Sequence, residues 1–331
     1  MKSTFACEVC GGKQSMTLGT RRYAAADVAR ADAYQRVRLR VLFEKWCPGT
    51  ADIVFAAVMC STCGFVSHLP RAEPGDLAAK YRTLLEWGSD YGTGETDDVA
   101  RARSKELYAA VGTAFEADSS LRVLDYGGGD GRLMHAFRAG GHRTFLVDYQ
   151  ERPVAGTEKL ADTLETLPAA ARFDLVVASH VVEHVAEPTA VLRRLAHHLA
   201  DGGRLFVEVP MECWGRPPFH DEPVTHINFF VPGSLRRCFE EAGLEVASCR
   251  LTRSLHPTGV FTLVVRAIGH RARWPVTPTA NGVADVGAFL RPTLRQRIRC
   301  RAILTGGLVG LLSHTIRTRV APSIERDSNA S

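Results

Sequence analysis

The sequence predicts an α/β protein built on a Rossmann-like, mostly parallel sheet, preceded by a small four-cysteine module. Three observations predict it. Apolar strand candidates alternate with helices from Leu121 onward; a glycine-rich turn, Asp125-Tyr-Gly-Gly-Gly-Asp-Gly131, joins the first strand to the first helix; and two matching Cys-x-x-Cys-Gly units stand at Cys7 and Cys60.

The alternation runs through strand candidates at residues 122–126, 144–148, 173–179 and 204–209, with helices expected at 131–139 and 188–199. A further helix at 235–242 stops at Gly243. Segments 244–250 and 260–266, separated by a turn at 256–259, read as a closing strand pair. These elements make residues 121–268 one domain. Ahead of it, residues 71–120 read as a helical connector that forms part of the substrate pocket, broken at 88–97 by a polar, glycine-containing stretch. Residues 1–70 form the cysteine module, with a helix expected at 24–46 and a strand at 53–59. Residues 269–331 are read as a linker, a basic helix over 293–320 and a disordered tail.

Composition narrows the function classes. Of 331 residues, 45% are hydrophobic and 23% charged, which suits a globular chain with a sizeable core. The net charge of +5 is uneven: Arg291, Arg295, Arg297, Arg299, Arg301, Arg317 and Arg319 supply seven positive charges, so the remainder stands at −2. A body of that balance predicts no nucleic-acid partner. The N-terminus, MKSTFACEVCGG, has no apolar core of a secretory signal, and no run of about 18 apolar residues suggests a spanning helix. Nine cysteines, an odd number, read as thiols and metal ligands; a cytoplasmic location is expected.

The glycine turn sits where backbone amides at a helix N-terminus approach a ligand closely. A nicotinamide dinucleotide fingerprint would want a third glycine at position 132, where Arg132 stands. Asp125, two positions before Gly127, is instead the pattern of an S-adenosylmethionine (SAM) loop, where a carboxylate serves the cationic amino-acid end of the cofactor. Asp148 ends the next strand candidate, placed to accept both ribose hydroxyls. The fourth and fifth strands follow in FDLVVASHVVEH and DGGRLFVEVP.

Residues 121–266, on the motifs DYGGGDG, FDLVVASHVVEH and DGGRLFVEVP, resemble a class I SAM-dependent methyltransferase. The resemblance implies seven strands in the sheet, and that Asp125, Gly127, Gly129 and Gly131 line the methionine end and Asp148 the ribose. Asp162 would flank the adenine, and Ser179 and His180 would border methionine and acceptor.

Cys7, Cys10, Cys60 and Cys63 supply four thiolates, the set of a closed structural Zn2+ site, although 49 residues separate the two units. With this module in front, the chain resembles sugar C-methyltransferases and related glycan and natural-product methyltransferases. A small-molecule acceptor of that kind is therefore expected. The segment THINFF resembles the family's proton-abstracting stretch, which makes His226 the candidate general base. Thr225 stands where the family has glutamate, so the supporting carboxylate is expected either to be missing or to come from Asp221 or Glu222. His184, His220 and Tyr91 are further candidates for the pocket, whereas His197 and His198 are expected on a helix surface. The basic segment 291–320 is read as packing on the body or on a second subunit of a homodimer, or as a peripheral membrane contact. The alternatives are a zinc-containing RNA or protein methyltransferase and a non-catalytic SAM-binding protein.

Overall fold

The computed structural model describes residues 1–87, 95–112, 120–149 and 153–306. The chain opens with strand β1 (Ser15–Ala24), then helix α1 (Ala33–Val41), which a wider helical turn extends to Trp46. Strand β2 (Asp52–Cys60) pairs antiparallel with β1, and β3 (Val66–Leu69) pairs antiparallel with β2. Helices α2 (Pro74–Glu86) and α3 (Asp97–Gly112) connect to the larger sheet.

That sheet uses β4 (Arg122–Tyr126), followed by a short turn and α4 (His135–Ala139), then β5 (Arg143–Val147) and β6 (Thr157–Ala161). It continues with β7 (Phe173–Ser179), α5 (Pro188–His197) and β8 (Leu199–Pro210). A two-residue strand β9 (Asn228–Phe229) precedes α6 (Pro232–Glu241), β10 (Leu244–Leu255) and β11 (Phe261–Arg271); α7 (Val283–Leu290) and α8 (Leu294–Thr305) follow.

The seven-stranded order is β6-β5-β4-β7-β8-β11-β10, with β11 antiparallel to both its neighbours and β4 to β8 running parallel. Period-two alternation sorts the apolar residues onto two faces. Val123, Leu175, Val177 and Phe206 pack with Leu107 and Val111 of α3 and Phe137 of α4. Leu124, Phe145, Val176 and Val207 face a core that reaches Cys63 and Phe65 of the N-terminal module. The C-terminal ends of the parallel strands therefore open on one edge, where such sheets bind ligands.

Strand β9 belongs to the other sheet, β1-β2-β3-β9, through Val66↔Phe229 and Ser67↔Asn228. The N-terminal module thus shares a sheet with the segment that follows β8. A second contact is tighter. Gly64, at φ +74°, lies so close to α7 that a Cβ there would meet the backbone carbon of Gly282 at 2.2 Å, and the Gly282 amide donates to the Cys63 carbonyl at 2.9 Å.

Several expectations change. Strand β1 occupies a stretch read without structure, and the helix expected at 24–46 is confined mainly to Ala33–Trp46. Residues 271–290, read as a linker, include α7. The basic helix expected to run from 293 to 320 ends at Thr305, where Gly306 takes φ +78° and caps it; residues from 307 lie outside the described part. His198 is buried, not solvated, with Nδ1 3.0 Å from the Ala171 carbonyl.

Gly64→Ala should lower stability by about 3 kcal/mol, combining left-handed strain with overpacking. Thermal unfolding checks it; an unchanged midpoint would remove the close approach as a constraint.

Candidate functional site

The donor end lies beyond β4 and β5. Gly127, Gly129 and Gly131 adopt φ of +68°, +62° and +78°, a left-handed path that side chains resist. Gly128 is constrained differently: a Cβ there would fall 1.9 Å from Asp125 Oδ2. The loop is folded down onto this carboxylate, which is 1% exposed and whose Oδ2 has no hydrogen-bond partner. Burial, then the nearby Asp148, push its pKa up to about 7. Asp148 is also buried and accepts from the Gly129 amide at 2.9 Å, so the ribose candidate braces the loop. An orphaned acidic oxygen beside a cradle only glycine can form fits a cofactor with a cationic amino-acid end. Asp162 lies just beyond β6, mostly exposed and ion-paired with Lys159.

Ser179 and His180 end β7 on the same edge. His180 takes φ +57°, rare for a side-chain-bearing residue. Its ring lies between two buried carboxylates, Nδ1 3.3 Å from Glu183 and Nε2 3.4 Å from Glu208. Burial alone would lower its pKa, but the two carboxylates hold it up at about 9. Glu208 also accepts from Ser179 Oγ at 3.3 Å and from Ser254 Oγ at 3.1 Å, and it pairs with Arg266, which reaches Glu106 at 2.9 Å. Arg103, ion-paired with Glu95 at 2.7 Å, lines a small cavity here with Leu133, Ser179 and Glu208.

The candidate acceptor-side residues form a cluster of histidines. His226 Nδ1 lies 2.8 Å from Glu212 Oε1, and His220 Nε2 lies 2.7 Å from the same oxygen. The His184 and His226 rings are 4.7 Å apart, and His184 Nδ1 is 2.6 Å from the Thr225 carbonyl. The structure therefore brings His184, His220 and His226 together. Tyr91 lies outside the described residues. Burial drives His184 down to about 3, so it is neutral; burial acts the same way on His226, but Glu212 outweighs it and raises that ring. Burial would also raise the Glu212 carboxyl, yet His226 and His220 draw it well below the usual range.

The support for His226 is thus neither of the expected carboxylates. Asp221 is exposed and paired with Arg21 at 2.9 Å. Glu222 is occupied by the amides of Val224 at 2.7 Å and Thr225 at 3.0 Å. Glu212, two residues past β8, does the work. The signal available in the sequence was an acid just beyond a strand end, on the edge where ligands bind.

The N-terminal half holds this loop in place. Lys80, fully buried and lowered by that burial to about 8, donates to the Val224 carbonyl at 2.9 Å. Arg38 donates to Thr225 Oγ1 at 3.1 Å, Tyr23 to the His220 carbonyl at 2.8 Å, and His68 stacks on Phe219 at 5.4 Å.

In the module, Cys7 and Cys63 sulfurs lie 3.5 Å apart and Cys10 and Cys60 3.6 Å, with all four within 4.8 Å of one another. Four Zn–S bonds of about 2.3 Å in a tetrahedron place sulfurs about 3.8 Å apart, so the set fits zinc. The two units repeat one backbone pattern: the Gly11 amide donates to the Cys7 carbonyl, the Gly64 amide to the Cys60 carbonyl.

Strand order, glycine cradle and strand-end acids together define a class I methyltransferase fold. Residues 99–248 match the family model described as a methyltransferase domain, and the sheet order is that of a Rossmann-like methyltransferase fold. Among curated relatives, a ubiquinone biosynthesis O-methyltransferase of Bradyrhizobium sp. (strain ORS 278) is 34% identical over 29% of this chain and 42% of its own length. The protein of the same name from Rhodopseudomonas palustris (strain BisB5) is 28% identical over 48% of this chain and 69% of its own. The chain thus spans less than half of the first relative's length. Among solved structures, a 1,6-didemethyltoxoflavin-N1-methyltransferase of Burkholderia thailandensis, with S-adenosylhomocysteine bound, is 23% identical. It covers 66% of this chain and 95% of its own at a TM-score of 0.48.

Two outcomes follow from this geometry. Metal analysis of the purified chain should find a zinc that is lost, with a lower unfolding midpoint, in Cys60→Ser; a zinc content unaffected by that change would overturn the four-sulfur assignment. Asp125, raised to about 7, must lose its proton to pair with a cationic ligand. SAM affinity should therefore rise from pH 6 to pH 8 with proton release, read by calorimetry in buffers of different ionisation enthalpy. A flat profile would dissociate Asp125 from the cofactor.

Proposed function

We propose that this chain methylates a small-molecule acceptor, a sugar, glycan or natural-product intermediate, at a hydroxyl group. The observation that carries the reading is the His226–Glu212 contact at 2.8 Å on the same sheet edge as the glycine cradle. The methyltransferase domain accounts for the donor, and the relatives named as O-methyltransferases support oxygen as the nucleophile.

When bound, SAM supplies a methyl group on a sulfonium centre for in-line displacement. Asp125, Gly127, Gly129 and Gly131 would hold its amino-acid end, Asp148 its ribose and Asp162 the adenine side, and Ser179 and His180 would border the methionine and the acceptor. Glu212 takes the Nδ1 hydrogen of His226 and fixes the ring, which leaves Nε2 to accept the proton of the acceptor hydroxyl. His184, neutral and tied to the Thr225 carbonyl, positions the acceptor beside it, and His220 shares the Glu212 carboxylate. Cys7, Cys10, Cys60 and Cys63 hold a structural zinc, which steadies the module against the acceptor loop.

Among the described residues no helix is long and apolar enough to cross a membrane. Helix α8 leaves Leu294 and Ile298 exposed among arginines, and any contact with a second subunit or an anionic surface falls to that face.

Two substitutions separate donor from acceptor. Asp148→Ala should weaken SAM binding about tenfold or more. His226→Ala should keep SAM binding and lower kcat on the order of 10²-fold or more with any acceptor found active. Equal SAM affinity in Asp148→Ala, or full turnover in His226→Ala, would refute the corresponding role.

A further inference from the structure

We infer that Glu183, His184 and His226 form a binding site for a divalent first-row transition-metal ion, distinct from the four-sulfur site. One ligand-type atom of each lies within 4.8 Å of the other two. Two imidazoles and one carboxylate suit such an ion, and a three-ligand set leaves positions open.

The hydrogen bonds around the cluster determine which atoms face inward. A backbone carbonyl only accepts, so the 2.6 Å contact between His184 Nδ1 and the Thr225 carbonyl places the hydrogen on Nδ1. His184 Nε2 is then a lone pair, and it points toward Glu183 Oε1 at 3.8 Å, acceptor against acceptor. The 2.8 Å contact of His226 Nδ1 with Glu212 does the same for the second ring, leaving its Nε2. Each histidine therefore carries a carbonyl or carboxylate on the nitrogen turned away from the cluster, the arrangement that orients metal-ligating imidazoles.

Glu183 is the independent sign. It is 1% exposed, and neither carboxylate oxygen has an aligned hydrogen bond. The His180 ring approaches Oε1 at 3.3 Å but is shared with Glu208. That one shared imidazolium meets Oε1 only, so Oε2 stays buried with no partner, a costly position that a second cation would relieve. The Glu212, His220 and His226 grouping also has ligand-type atoms within 4.8 Å, but His226 Nδ1 is already hydrogen-bonded to Glu212 Oε1 at 2.8 Å, so that nitrogen and that oxygen are committed to each other rather than to an ion.

The inference deepens the proposed function and rests on it for one point, the nature of what the open positions take. In that setting they would receive neighbouring oxygens of the acceptor, favouring substrates with adjacent hydroxyl or carbonyl groups. A bound cation would acidify such a hydroxyl enough for its proton to pass to water; His226 Nε2 would then be a ligand, and its role as proton acceptor belongs to the metal-free state.

Mn2+ is the probe, because it prefers nitrogen and oxygen to thiolate and leaves zinc in the cysteines. The full-length protein, zinc-replete, is titrated with Mn2+ and free ion is read by electron paramagnetic resonance. About one Mn2+ per chain is expected, weakened at least tenfold in Glu183→Gln, His184→Gln and His226→Gln. Circular dichroism confirms folding, and three separate variants keep the test decisive if one fails to fold. No Mn2+ binding, or binding unmoved by the folded variants, overturns the site. SAM titrations on the same samples separate the two readings: SAM binding without Mn2+ binding refutes the metal site alone, and Mn2+ binding without SAM binding refutes the methyltransferase reading alone.

Discussion

The buried guanidinium of Arg71 is the tie on which the rest of the arrangement depends. It is 3% exposed and reaches two separate segments: the Ile227 carbonyl at 3.1 Å and Asn228 Oδ1 at 2.7 Å in one, and the Ala186 carbonyl at 2.7 Å in the other. It also lies 3.6 Å from Glu8, between the first pair of cysteines. One charged group thus links a knuckle, the turn after the fourth parallel strand and the loop that ends at β9. A buried cation is tolerated only when its donors are taken up, and burial still lowers this one to about 10. Asn228 extends the tie, since its amide donates to the Val182 and Val185 carbonyls at 2.8 and 2.7 Å. His184 sits inside that span and His226 directly before it.

The consequence for the candidate site is a histidine cluster whose surroundings come from both halves of the chain. The sheet edge provides the cofactor loop, Glu183 and Glu212. The N-terminal half provides Lys80, Arg38, Tyr23 and His68, none of which touches the glycine cradle but each of which holds the loop bearing His220 and His226. Zinc at the cysteines would then act at a distance, by fixing the ends of β2 and β3 against which β9 is laid. The charge pattern is similarly divided: Glu208, His180 and Arg266 form one buried chain, while Glu212 joins His220 and His226.

What could be read in the sequence follows from how local each signal is. Strands β4 and β7 were legible to the residue, because both are short apolar runs bounded by turn residues. The cysteine pairs and the glycine loop were legible because their chemistry lies in the spacing. Strand β1 was not, since of SMTLGTRRYA only Tyr23 is buried and no apolar alternation marks it. Strand β6, TEKLA, is an edge strand with equally little apolar content. The candidate histidines were legible as strand-end residues, but their partner was not: Glu212 lies 14 residues before His226, and only the return of the loop joins them. Asp221 and Glu222 were nearer in sequence and are turned to other uses.

Strand β9 has a consequence for how such a chain can diverge. Its two residues are hydrogen-bonded to the N-terminal sheet, and β8 fixes the other end of the same segment in the parallel sheet. The stretch between them is a bridge pinned at both abutments. New acceptor shapes can therefore arise by changing side chains along the span, whereas a change in its length would pull one sheet against the other. A fragment trimmed free of the first 70 residues would keep the glycine turn and lose the far abutment.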